Sequence, residues 1–159
     1  MTLYLLLKTL HILCSTLLFG TGLGSAYYSW RAWRSGNLEA IRITFRHLVT
    51  ADWLFIATTA VFQPLSGIAM AHLAGWPWHT PWILAAVALY ALAGICWLPV
   101  VWLQLRLARM AAVASHAGTP LPASYWRDAR RWESLGYPAF AAMVAVYFLM
   151  VFKPALTLG

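Results

Sequence analysis

Four stretches of about 20 or more predominantly apolar residues, 3–28, 52–73, 82–105 and 137–156, constrain this chain more than any other feature of it. A helix rising 1.5 Å per residue needs about 20 residues to cross a hydrocarbon core roughly 30 Å thick, so each stretch is long enough to span one. Barrel strands are half that length and alternate, whereas these runs are rich in Leu and Ala and do not. The expected fold is all-α: an integral membrane four-helix bundle forming a single transmembrane domain over residues 1–159. Composition agrees. With 62% hydrophobic and 9% charged residues the chain has too little charge for a cytosolic enzyme, an extramembrane receptor domain or a disordered segment, since water-soluble domains carry roughly 25% Asp, Glu, Lys and Arg.

The charge is placed unevenly. All nine arginines lie in the first and third connections, Arg31, Arg34, Arg42 and Arg46 in one and Arg106, Arg109, Arg127, Arg130 and Arg131 in the other, while the second connection, 74–81, has no Lys or Arg. The positive-inside rule then predicts a multi-pass protein of the bacterial inner (cytoplasmic) membrane with both termini periplasmic, and the net charge of +7 sets orientation rather than contact with nucleic acid. Gly24-Ser25-Ala26 has the small residues of a signal-peptide cleavage site, but Arg31 and Arg34 follow directly, so the first segment reads as an uncleaved helix. The Gly118 to Pro122 stretch breaks the third connection, and residues 124–135 are expected to form a short amphipathic helix on the inner surface. Trp30, Trp53, Trp76, Trp78 and Trp82, among ten tryptophans, fall at span ends and suit interfacial anchoring.

Lys8, His11, Ser15, Leu18, Gly22 and Ser25 recur at steps of three and four, giving the first helix a polar or small stripe. Asp52, Thr59, Gln63, Ser66 and Met70 do the same on the second, and two such stripes imply a shared lumen. Gly20 and Gly24 form a small-xxx-small pair for close approach of another helix or of a second copy of the chain. Asp52, at the expected start of the second span, is read as a helix cap, and Gln63-Pro64 as a bend that frees a backbone carbonyl. Cys14 and Cys96 are widely separated in apolar runs and read as buried thiols, and neither a nucleophilic triad nor a zinc signature is legible.

An ionisable group deep in a bilayer costs several kcal/mol to place there, which makes it a functional candidate by default. His11 lies about eight residues, or roughly 12 Å, inside the first span, too deep to snorkel easily. A helical bundle with one deep imidazole and walls of Leu, Phe and Trp suits a porphyrin. The candidate cofactor-binding residues are His11, His72, Gln63 and Met70 for heme b, with His11 and His72 as the candidate iron ligands. His79 in the second connection is a further imidazole near the same end, and His47 and His116 lie with the arginines. Lys8 and Lys153, the two cations outside the arginine clusters, suit either headgroup contact or a role in a chemical step.

The residues Leu7-Lys8-Thr9-Leu10-His11-Ile12, Trp78-His79, the Glu133 to Pro138 entry into the last helix and Val151-Phe152-Lys153-Pro154 resemble those of HemJ-type protoporphyrinogen IX oxidases, small heme b membrane proteins of the same hydrophobic layout. More closely, the chain resembles an uncharacterised bacterial family of predicted integral membrane proteins. The HemJ resemblance implies that His11 is a heme ligand and that Lys8 and Lys153-Pro154 are functional positions. It also has a departure: those enzymes carry a lysine two residues after the histidine at the third span, where His79 is followed by Thr80 and Pro81. The expectation that follows is a b-type heme protein with redox activity toward quinone or a tetrapyrrole. Its rival is a non-enzymatic membrane scaffold or assembly subunit whose polar stripes hold helices together.

Overall fold

The computed structural model describes residues 1–154. Four helices run back and forth: α1 (Thr2–Arg34), α2 (Leu38–Leu73), α3 (Pro81–Ala117) and α4 (Ala123–Phe152), each long and apolar enough to cross a membrane, and no strand occurs among the described residues. Positions 155 and 156 of the last expected span lie outside the described residues. Short, well-made turns join the helices. Asn37 caps α2 by accepting hydrogen bonds from the backbone N–H groups of Glu39 and Ala40, and Gly118 ends α3 at φ 62°, a left-handed conformation that suits glycine. Thr80 precedes Pro81 at the first position of α3, where a missing N–H does no harm.

Three expectations about the helices are corrected. Residues 124–135 are no separate surface helix but the first half of α4, which continues unbroken through Pro138 to Phe152. The second span does not begin at Asp52: the helix starts at Leu38, inside the expected first connection, and Asp52 caps nothing. Instead Asp52 opens a π-helical turn, Asp52–Ala57, within α2. Thr58 and Thr59 follow that turn and donate their hydroxyls to the carbonyls of Leu54 and Phe55. Finally, no other helix comes within 4 Å of a Cβ built on Gly20 or Gly24; the nearest side chain to Gly24 is the ring of Tyr28 on its own helix, at 3.8 Å.

The main core lies at the arginine-bearing end. There Phe45, Leu107, Ala111 and Tyr125 are completely buried, and Trp33 and Trp132 meet edge-on at 5.9 Å while the indole N–H of Trp33 donates to the Tyr125 hydroxyl at 3.1 Å. At its edge Arg106 reaches the buried Asp128 carboxylate at 3.0 Å, and Arg131 stands 4.0 Å from the other carboxylate oxygen. Glu39 ties the start of α2 to the end of α3 by pairing with Arg42 and accepting from Ser115, and the Arg42 guanidinium holds its carboxyl down at about 2. Toward the other end the helices part into two pairs, α1 with the second half of α2 and α3 with α4. A small cluster of Ala93, Ala142 and Met143 with Phe19, which stacks on Phe140 at 4.6 Å, links them.

Candidate functional site

Between α1 and the second half of α2 the two polar stripes meet. His11 is half-buried, and its Nδ1 lies 2.7 Å from the Ser66 hydroxyl. That hydroxyl also reaches the backbone carbonyls of Phe62 at 2.7 Å and Gln63 at 3.1 Å. A hydroxyl has one proton, and carbonyls only accept, so Ser66 spends its proton on its own helix and accepts from His11. The assigned tautomer therefore carries its proton on Nδ1 and leaves the lone pair of Nε2 free. Gln63 completes the clasp by donating its side-chain N–H to the backbone carbonyl of His11 at 3.1 Å, while its own Oε1 is buried without a partner. Gly67 leaves the ring room: a Cβ there would stand 3.6 Å from Cε1 of His11, so alanine fits and anything longer displaces the imidazole.

Pro64 is part of the same construction. Lacking an N–H, it cannot bond the carbonyl of Ala60 one turn back, and that carbonyl is taken instead by the Tyr90 hydroxyl of α3 at 2.7 Å. The freed carbonyl thus joins the two helix pairs at mid-bundle.

The other candidates are not gathered at His11. Met70 is half-buried one turn beyond Ser66, three residues past Gly67 and so on nearly the same face of α2. His72 is exposed, six residues or about 9 Å of helix axis beyond Ser66, and His79 is exposed in the turn. Lys8 is exposed three residues before His11. Lys153 belongs to the α3–α4 side, its ammonium 5.6 Å from the ring centroid of Trp76 and 5.8 Å from that of Trp82. Trp30, Trp53, Trp76 and Trp78 are exposed as anchoring requires, but Trp82 is buried. Among the described residues no group of three or more His, Cys, Asp or Glu could hold a metal ion.

A second polar cluster lies at the level of the π turn. The side-chain amide of Gln104 donates to the Asp52 carboxylate at 2.8 Å, and the indole of Trp132 donates to the Gln104 carbonyl at 3.1 Å. All three residues are buried, which joins α2, α3 and α4 by a chain of bonds in which each amide atom of Gln104 is used. On α1, Ser25 and Ser29 are buried with their hydroxyls unpartnered. Gln104 and Trp132 carry no signal in the sequence, because each sits singly in an otherwise apolar or arginine-rich segment.

Comparison with curated proteins and with solved structures found no match. Residues 5–154, nearly the whole chain, match a family described as predicted integral membrane protein, and the four apolar helices are what that description requires: the chain belongs to the DUF2269 family of predicted integral membrane proteins.

Proposed function

We propose that this chain is a b-type heme protein of the bacterial cytoplasmic membrane, with both termini periplasmic, that exchanges electrons with a quinone or a tetrapyrrole in the manner of HemJ-type oxidases. The observation that carries the proposal is the hydrogen bond between His11 Nδ1 and Ser66, because in the neutral ring with Nδ1 as donor it leaves Nε2 as the nitrogen that would ligate. Axial histidines are held in this way, the distal ring nitrogen donating to a fixed acceptor. Heme b held by His11 would supply one-electron chemistry. Ser66 orients the ring, Gln63 clamps the backbone behind it, and the free Oε1 of Gln63 offers an acceptor to a bound group. Met70, half-buried one turn beyond Ser66 on α2, would hold the group with His11 in preference to the exposed His72. Lys8, on the same side of α1 as His11 and about 4.5 Å further along the axis, is positioned to receive a carboxylate of a tetrapyrrole.

The test is the visible spectrum of purified protein expressed with ample heme. Wild type is expected to show a Soret band that His11→Ala abolishes and that Ser66→Ala broadens or shifts, and Met70→Leu is expected to convert a low-spin spectrum to a high-spin one. A colourless wild type that takes up no added hemin sinks the proposal. In that event the exposed glycine face of α1, with open space where a Cβ of Gly20 would stand, favours the second reading, a scaffold that pairs through Gly20 and Gly24 with another copy of itself.

A further inference from the structure

Away from His11, the end of the bundle that carries the turn between α2 and α3 collects positive groups that have no acidic partner among the described residues. Lys153 ends α4 in a left-handed conformation, φ 44° and ψ 53°, which a residue with a side chain adopts at a cost of about 1 kcal/mol or more. In that conformation its ammonium rests against two indoles, Trp76 and Trp82, which themselves meet edge-on at 5.4 Å. Trp82 is the second residue of α3, so the ammonium stands near the start of a 37-residue helix, whose dipole adds positive potential. Pro81 has no N–H, and Ile83 and Leu84 donate theirs to the Thr80 carbonyl at 2.9 and 3.1 Å. The Trp82 backbone N–H is thus left as the free donor of this turn among the described residues, with no side-chain cap from Thr80. Trp82 is 8% exposed, and its indole N–H is buried without a hydrogen-bond partner. The four Asp and Glu side chains, Glu39, Asp52, Asp128 and Glu133, lie at the opposite end, about 28 Å or more away along the helix axes.

A groove of about 520 Å³ adjoins this cluster between α3 and α4. It is lined by Ala85, Leu89, Ala145, Phe148, Phe152 and Pro154, among others, all without side-chain polar atoms. Phe152 and Pro154 flank Lys153, and Ala85 follows Trp82 by three residues, so the apolar groove begins where the positive groups converge.

We propose that this place is a binding site for an anionic phospholipid. The phosphate is held by Lys153, the Trp82 indole N–H and the first turn of α3, and one acyl chain lies in the groove. The charge complementarity selects an anionic headgroup, since a net-neutral one brings its own cation against the ammonium. The site stands whether or not the chain binds heme.

The experiment uses the full-length protein in vesicles with trace phosphatidylglycerol or phosphatidylcholine carrying a diazirine near the glycerol end of one acyl chain. After photolysis, the labelled peptides are mapped. Phosphatidylglycerol is expected to label the peptides around Ala85 to Leu89 and Phe148 to Phe152 about fivefold more than phosphatidylcholine, the ratio that one lysine near a lipid surface supplies. Lys153→Gln should bring the two probes to parity there, Lys153→Arg should keep the preference, and Ala145→Phe, which fills the groove, should reduce labelling by both. Equal labelling by the two probes in wild type assigns the groove to an uncharged occupant and overturns the proposal. So does a preference that survives Lys153→Gln, or labelling confined to the arginine-bearing end.

Discussion

The two halves of the bundle are filled differently. In the arginine-bearing half all four helices close on one aromatic core, Trp33, Phe45, Tyr125 and Trp132 packed ring to ring, and the buried Asp52–Gln104–Trp132 chain pairs its polar groups. In the other half the helices separate into two pairs bridged by little more than Phe19 on Phe140 and Tyr90 on the Ala60 carbonyl. Here lie the clasped imidazole, the unpartnered Gln63 oxygen and the unpartnered Trp82 N–H. The two ends thus differ in packing along the helix axes: the arginine-bearing end closes on one core and the other is held by two bridges, while unpartnered buried groups occur at both, the Ser25 and Ser29 hydroxyls at the first and the Gln63 oxygen and Trp82 N–H at the second. Unspent capacity is costly inside a protein, and in the loosely bridged half it lies on side chains next to His11 and Lys153, which is why the proposed ligands are placed there.

The largest test of this division compares two phenylalanines. Phe45→Ala removes a completely buried ring from the aromatic core and should cost about 3–5 kcal/mol in detergent unfolding, whereas Phe19→Ala, at the bridge between the helix pairs, should cost about 1 kcal/mol. Equal losses would erase the distinction between the halves. Gln104→Leu comes next, since it strands the Asp52 carboxylate and the Trp132 indole together; a loss of about 2–3 kcal/mol is expected by thermal melting, with little change in any spectrum arising at His11. Weaker binding of added hemin by Gln104→Leu at unchanged stability would show that the two halves act as one site.

The smallest effect is a pH dependence at the arginine-bearing end. The carboxyl of Glu39 is held at about 2, below its ordinary 4.5, by Arg42 and Ser115. Its contribution to stability is therefore complete above about pH 4.5 and lost as pH falls toward 2. Glu39→Gln should melt slightly below wild type at neutral pH, and the difference should vanish by about pH 2. A difference that instead persists at low pH would assign it to packing rather than to the ion pair.

The four helices are legible in the sequence because lipid demands long apolar runs, but their lengths are not. Hydropathy ends where the arginines begin, while the helices continue: Leu107, Ala111 and Ala114, like Tyr125, Ala129 and Trp132, repeat at steps of four and three and place a buried stripe inside a charged segment. That stripe is why residues 124–135 join α4 instead of lying on a surface. Asp52 reads as a cap only if the helix starts at the edge of the apolar run; Asn37, with its side chain on two backbone N–H groups, starts it 14 residues earlier. The stripes containing His11, Gln63 and Ser66 are legible as polar faces, because spacing fixes which side of a helix a residue occupies. Spacing says nothing of the level at which two antiparallel helices meet, so neither the His11 to Ser66 bond nor the distance of His72 from it follows from the sequence.

The most direct measurement of the central claim is a hemin titration of purified protein, followed at the Soret band, in wild type, His11→Ala, Ser66→Ala and His116→Ala. Saturation at one hemin per chain is expected in wild type and His116→Ala, weaker binding in Ser66→Ala as the ring loses its anchor, and no specific binding in His11→Ala. Identical titrations for wild type and His11→Ala, or no saturable binding in wild type, would contradict that claim.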